Sequence, residues 1–440
     1  MISRDNRSAS STRMTISFLG VFGGGNLGNE GTLSAILQDL RERLPDVDAR
    51  CICPNPEAAS AIHQIAACPM HEPLLAPALR SHTRLARFLR KCVLGIPLEL
   101  YRWVKAYNRL AGTRVLIVPG TQFLSDNLTG SFGWPYQAFK WAVAARLRGC
   151  KLLFVSVGVG PLRHGLSRRF VKCALALAHF RSYRDDASKL YVRDIGFDSM
   201  SDPIYPDLAF SLRASTLPAG RRADSGASVV AVGVKDYRGQ YGSRPRPREA
   251  DSLYRRYVDT VAEFVAWLLD HGYTVRLVIG DTVYDPPVVA DVRLALAGKC
   301  VDPEHPRLLA EPIETLEALI SQLAASDVVV SPRFHNVLFG LMLDRAVLAV
   351  SYHEKFSALM PRPELARYSL QIDGLETSSI IARFEELQGR RDELRRVIGR
   401  HVGESRVALD EQYRLIIDTL SPMHVRRRTA SVIEPTAVSS

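Results

Sequence analysis

Short apolar runs alternate with segments of helical period, and the alternation passes through the chain twice. In the first half, residues 15–22, 49–53, 115–118 and 152–157 read as buried strands. In the second, residues 229–234, 274–279, 308–313, 327–330 and 347–352 do the same. Between them lie helix patterns such as Leu33, Ile36, Leu37, Leu40 and Leu44, or Leu253, Tyr257, Val261, Phe264 and Leu268. Strand, helix, strand in repetition closes as a parallel sheet covered by helices. The expected fold is therefore α/β: two Rossmann-like domains facing across a cleft, followed by C-terminal helices. Residues 215–228, STLPAGRRADSGAS, have the composition of a linker. They divide a domain at 14–214 from one at 229–375, with helices over 376–420. Residues 1–13 and 421–440 are polar and read as a disordered leader and tail.

Charge narrows the partners. Lys and Arg number 57 against 46 Asp and Glu, a surplus of 11. That suits an anionic substrate or an anionic membrane surface. No zinc-finger, RRM or KH signature accompanies the surplus, so nucleic acid is set aside. Arg80, Arg84, Arg87, Arg90 and Lys91 recur at helical spacing within 77–110, which fits either a peripheral membrane contact or a solvated basic face. No apolar run reaches the roughly 18 residues of a spanning helix. The seven scattered cysteines suit reduced thiols in the cytoplasm, at the inner membrane face if the basic segment docks there. Cys51, Cys53 and Cys68, even with His63 or His71, match no zinc spacing, and no metal is expected.

Chemistry concentrates in residues 331–355, SPRFHNVLFGLMLDRAVLAVSYHEK. Ser331 and Pro332 suit the cap and first position of a helix, which would place Arg333 and His335 in its first turn. Free amides and the helix dipole attract anions there. A second candidate is the glycine turn after the first strand, with Gly24, Asn26, Gly28, Asn29 and Glu30. It is neither a GxGxxG turn nor a P-loop. Gly120, Thr121 and Gln122 follow the 115–118 strand, and Gly158 and Gly160 follow the 152–157 strand. Such positions face ligands in doubly wound sheets. Arg184 precedes Asp185 and Asp186, and is either a salt-bridged arginine or an anion ligand. Lys355, beside Glu354, is either solvated or a phosphate contact.

Seven blocks, in order, resemble the polysaccharide pyruvyl transferase family: GGGNLGNEGTL, VPGTQFLSDN, SVGVGPL, SYRDDAS, YPDLAF, SPRFHNVLFGL and SYHEK. The resemblance implies a two-domain fold akin to GT-B glycosyltransferases. It also implies transfer of a pyruvyl group from phosphoenolpyruvate to a sugar of a cell-surface polysaccharide or lipid-linked glycan, as a ketal. Phosphoenolpyruvate would be a co-substrate, with no resident cofactor. Arg184 and Arg333 would hold the donor, with Lys355 as a further contact, and His335 would carry protons. The glycine turns would line the acceptor side. Two blocks depart from the family's pattern: Asn29 stands before Glu30 where Asp is usual, and Pro119-Gly120-Thr121-Gln122 replaces a glycine run. Two other readings fit the same architecture, a nucleotide-sugar glycosyltransferase and a non-catalytic membrane-surface scaffold.

Overall fold

The structure, a computed structural model, describes residues 13–72, 95–127, 129–213, 228–238 and 247–420. The basic stretch at 80–91, nearly all of the linker, the leader and the tail lie outside them. The first domain holds six parallel strands: β1 (Met14–Leu19), β2 (Val47–Cys53), β3 (Ala66–Pro69), β4 (Thr113–Pro119), β5 (Lys151–Val157) and β6 (Phe180–Tyr183), in the order β3-β2-β1-β4-β5-β6. The second repeats the arrangement with β7 (Val229–Gly233), β8 (Thr274–Val278), β9 (Leu308–Leu309), β10 (Val328–Ser331), β11 (Ala346–Ser351) and β12 (Ser369–Gln371), ordered β12-β11-β10-β7-β8-β9. Both orders reverse direction between the first and fourth strands of the sheet. Ligands of such sheets lie at that switch, beyond the strands' carboxyl ends.

The helices follow from the apolar spacing. In the first domain they are α1 (Leu27–Arg43), α2 (Pro56–His63), α3 (Ile96–Arg109), α4 (Trp134–Leu147), α5 (Gly165–Ala176) and α6 (Asp186–Asp194). The second has α7 (Pro247–Asp270), α8 (Pro286–Ala297), α9 (Leu316–Ala324), α10 (Phe334–Met342), α11 (Phe356–Leu359) and α12 (Pro363–Ala366), then α13 (Thr377–Gly389) and α14 (Arg391–Leu420). One apolar cluster runs continuously from the β1 face bearing Ile16 and Phe18 through the second domain to Tyr413. Another, around Trp141, Phe154 and Leu175, fills the other face of the first sheet. The long α14 begins on the second domain and ends on the first. There the fully buried Gln412 accepts from Ser156 Oγ at 2.9 Å, and Tyr413 Oη meets Ser211 Oγ at 3.0 Å.

Local chemistry moves three expected boundaries. The apolar spacing over 57–67 predicts one helix, but Gln64 takes a left-handed φ of 53°, ends α2 at His63, and turns the chain into β3. The 308–313 strand shortens to Leu308–Leu309. The most consequential shift is at α10. Ser331 stays in β10, and its hydroxyl accepts from the Arg333 amide at 3.1 Å. Arg333, still extended at φ −88° and ψ 118°, becomes the cap, so the helix starts at Phe334.

Glu30 anchors the glycine turn from beneath. One carboxylate oxygen accepts the Gly23 amide at 2.9 Å, and the other meets His63 Nε2 at 2.8 Å, with both side chains buried. Removing one member of a buried pair strands the other in a dry site. Glu30→Ala is expected to cost about 3 kcal/mol of stability, seen as a lower urea midpoint, with Glu30→Gln recovering part of it.

Candidate active site

The two switch points meet. The turn after β1 and the loop after β8 are stitched together by Leu27 N donating to Gly280 O at 3.1 Å and Thr282 N donating to Gly25 O at 2.9 Å. An antiparallel bridge pairs Asn26 with Asp281 between them. Asn26 also caps α1, its Oδ1 accepting from Gly28 N at 3.1 Å and Asn29 N at 3.3 Å. Gly28 is then pressed against the second domain. A Cβ there would lie 1.9 Å from His335 Nδ1, so only glycine lets the imidazole pack on α1.

His335 sits in the first turn of α10, where its ring faces the first domain. Its Nε2 is 3.8 Å from Asp207 Oδ2 and makes no hydrogen bond. Asp207 caps a short 3-10 turn, Leu208–Ser211, by accepting the Ala209 amide at 3.0 Å. Its other oxygen also takes Arg184 Nη1 at 3.2 Å. Arg184 leaves the end of β6, pairs with Asp185 at 3.5 Å, and lies over the Phe334 ring at 4.9 Å. Arg184 and His335, from different domains, thus share one carboxylate.

Arg333 reaches the other way. Its guanidinium pairs with Asp285, which has no exposed surface. Asp285 is fixed in turn by the amides of Gly280 and Asp281, each at 3.0 Å. Gly280 gives Arg333 room, since a Cβ there would come within 3.0 Å of its Cγ. Lys355 Nζ stands 5.3 Å from the Phe334 ring centroid and 5.0 Å from that of Tyr352. Lys235, just past β7, places its Nζ 4.8 Å from the same Tyr352 ring. Two aromatic faces therefore lie against three cations, Arg184, Lys235 and Lys355. That arrangement softens like-charge repulsion where water is scarce.

Electrostatics mark the site. Burial, with Arg184 and Arg333 adding to it, lowers Lys355 to about 7. Burial lowers His335 to about 4; Asp207 opposes this, and Arg184, Lys355 and Arg333 reinforce it. Neighbouring His353 also falls to about 4, through burial first and Lys355 next. Lys235 is lowered by burial and by Arg333. The imidazole of His335 is therefore neutral at pH 7, and the surrounding field is set for an anion.

The sequence candidates divide accordingly. Arg184, Arg333, His335 and Lys355 converge, and Gly28 joins them. Gly158 lies beside Arg184, whose Nη2 a Cβ would approach at 2.6 Å. Gly120 offers its carbonyl to Arg184 at 3.5 Å. The hydroxyl of buried Thr121 has no partner. Gln122 is turned to the Gly160 carbonyl at 3.1 Å, and Asn29 to the Val21 carbonyl at 3.0 Å. Gly24 is exposed, and Glu30 points below the turn, away from His335. Asp207, Asp285 and Lys235 escaped sequence reading. Asp207 stood inside the quoted YPDLAF block, which was the available signal; Asp285 and Lys235 gave none. Cys51, Cys53 and Cys68 lie in β2 and β3, and no group of three or more His, Cys, Asp or Glu among the described residues could hold a metal ion.

A family model described as polysaccharide pyruvyl transferase matches residues 26–354, three quarters of the chain. The chain belongs to the polysaccharide pyruvyl transferase family. As a family member it is an enzyme of that kind, and the matched span contains Arg184, Asp207, Arg333 and His335. No curated protein matches it significantly in sequence. Among solved structures it is similar to a glycosyltransferase from Rickettsia africae, with 10% identity, TM-score 0.56, 93% of this chain and 98% of that one covered. A UDP-GlcNAc 2-epimerase from Neisseria meningitidis bound to UDP-GlcNAc shares 11% identity at TM-score 0.55, covering 92% and 99%. Anabaena HepE, in complex with UDP and glucose, shares 12% at TM-score 0.54, covering 93% and 99%. At such identities the likeness is one of fold: the family member has the GT-B-like pair of Rossmann-like domains.

If the Gly28 contact is what keeps the ring dry, Gly28→Ala should unseat it. The His335 imidazole is then expected to titrate upward from about 4 towards the ordinary 6.5. Histidine-labelled NMR, assigned with His335→Gln, reads this directly.

Proposed function

We propose that the cleft binds phosphoenolpyruvate and transfers its pyruvyl group, as a ketal, to a sugar of a polysaccharide or lipid-linked glycan. The observation that carries this reading is the convergence of Arg184, Arg333 and Lys355 on a neutral imidazole at the meeting of two switch points, with Lys235 beside Arg333 and Lys355. A carboxylate and a phosphate on one small molecule need cations from more than one direction. Arg333 and Lys235 stand on the second domain beside the start of α10, while Arg184 approaches from the first.

The chemistry balances without an added reagent. The methylene carbon gains a proton, which leaves positive charge on the carbon bearing oxygen. One sugar hydroxyl bonds to that carbon and phosphate departs; a second hydroxyl closes the ketal. Of the two hydroxyl protons released, one matches the proton gained by carbon and the other leaves with phosphate. His335, neutral and beside Asp207, is suited to take a hydroxyl proton, with Asp207 stabilising the imidazolium that results.

Donor binding and turnover test the reading separately. Arg333→Ala is expected to weaken phosphoenolpyruvate binding by about 100-fold. His335→Ala should leave binding within about threefold and slow turnover at least about 100-fold. Thermal stabilisation by UDP-sugars and none by phosphoenolpyruvate would instead favour the nucleotide-sugar glycosyltransferase.

Lys355 supplies a pH signature. It carries its proton below about 7 and loses it above. An anionic donor favours the protonated form, so affinity should be greatest below pH 7 and decline as pH rises through the range where Lys355 deprotonates. Lys355→Gln is expected to bind weakly at pH 6 and to lose most of that pH dependence, measured by calorimetry.

A further inference from the structure

The outer face of α3 has no counterpart in the chemistry of the cleft. Its inner side is already packed: Ala106 is buried, and Trp103 Nε1 donates to Tyr136 Oη at 2.9 Å. Its outer side is apolar as well. Ile96, Leu100, Val104 and Tyr107 fall on one stripe at helical spacing, and all are exposed, Leu100 by 62%. A helix apolar on both sides belongs between two partners, and among the described residues only one is present.

Charge says what the second partner is. Residues 95–179, which run through α3, α4 and α5, contain twelve Lys and Arg against two acids, Glu99 and Asp126. That surplus of ten is nearly the whole excess of the chain. Lys105 lies on α3 itself, Arg146 stands exposed at the end of α4, and Arg168 and Arg169 stand exposed on α5. Arg148 lies over the ring of Tyr107 at 3.8 Å and Lys105 over that of Tyr101 at 5.3 Å, so the stripe carries cations at its own aromatic side chains; apolar side chains and cations on one helix face match an anionic lipid surface. A neutral protein partner would have no use for the charge, and nucleic acid none for the stripe.

Position adds a further argument. Tyr136, at the start of α4 and hence at the cleft end of the sheet, accepts from Trp103 and donates to Glu99 Oε1 at 2.8 Å. Its ring also meets that of Phe132, 5.8 Å away and 71% exposed. The stripe therefore ends beside an exposed aromatic side chain on the cleft side of the first domain.

We propose that α3, with Phe132, is a docking surface for anionic lipid membranes, and that it presents the first domain's side of the cleft to acceptors held at the membrane. The acceptor clause rests on the pyruvyl-transfer reading; the docking does not. Flotation of the full chain with vesicles of equimolar phosphatidylglycerol and phosphatidylcholine tests docking without donor or acceptor.

The wild-type chain is expected to bind these vesicles and to bind pure phosphatidylcholine far less. The neutral variant Ile96→Ser/Leu100→Ser/Val104→Ser should partition about tenfold more weakly with its melting temperature unchanged. Should the triple variant melt early, Leu100→Ser alone carries the comparison, at about threefold. Three outcomes overturn the proposal. The first is that the wild type does not bind at all. The second is that the serine variants bind like wild type, which leaves only charge attraction, including that of residues 80–91. The third is a wild-type dimer that the serine variants split, which makes the face an interface between copies.

Discussion

Asp207 is the contact on which the site depends, because it answers to both domains at once. It takes Arg184 at 3.2 Å from its own domain and faces His335 at 3.8 Å from the other. Burying several cations in one place is costly, since each loses hydration and repels the rest. The structure offsets that cost with three aspartates, 185, 207 and 285, and with the ring faces of Phe334 and Tyr352. Each aspartate is itself held by backbone amides or by a cap. Asp185 takes the Ser188 amide at 2.6 Å, and Asp285 takes two amides at 3.0 Å. Counter-charges fixed in this way cannot follow an incoming anion, so the cations keep their geometry when a ligand competes for them.

Glycine sets how closely these parts approach. Gly28 admits the His335 ring, Gly158 admits the Arg184 guanidinium, and Gly280 admits the Arg333 stem. None of the three needs a positive φ; each is required by what lies opposite. The glycines of the first turn therefore do different work. Gly25, with φ 88°, shapes the strand-like stitch to Thr282, whereas Gly28 opens space on the helix for a residue of the other domain.

This division explains what was legible beforehand. Periodicity exposes four strands of the first sheet and five of the second, because buried parallel strands are local patterns; the edge strands β3, β6 and β12, of three or four residues each, carry too short a run. Arg184, Arg333, His335 and Lys355 stood out because cations among glycine turns at strand ends are locally unusual. The counter-ions did not. Asp285 lies 48 residues from Arg333, and nothing near it in the chain marks it as a partner. The start of α10 is hidden for a related reason: Ser331 looks like a cap, yet its hydroxyl serves Arg333 two residues on while its backbone completes β10. Glu30 looked like a cleft residue because it follows glycines; its true partner, His63, arrives from the next helix.

The neutral state of His335 has a consequence for the order of events. With its pKa near 4, the imidazole can accept a proton at neutral pH but has almost none to give. Three of the influences that hold it there are positive charges: Arg184, Lys355 and Arg333. An anion bound among those cations cancels their field at the ring, and Asp207 then acts with less opposition. Proton affinity at His335 must rise when an anion enters, and by linkage a proton on His335 must tighten the anion. With an anion among the cations the imidazole is the stronger base and holds a proton; when the anion departs the cations lower its pKa again and the proton is shed. That is the property a transfer needs if one side chain is to take a proton from a hydroxyl and release it before the next cycle.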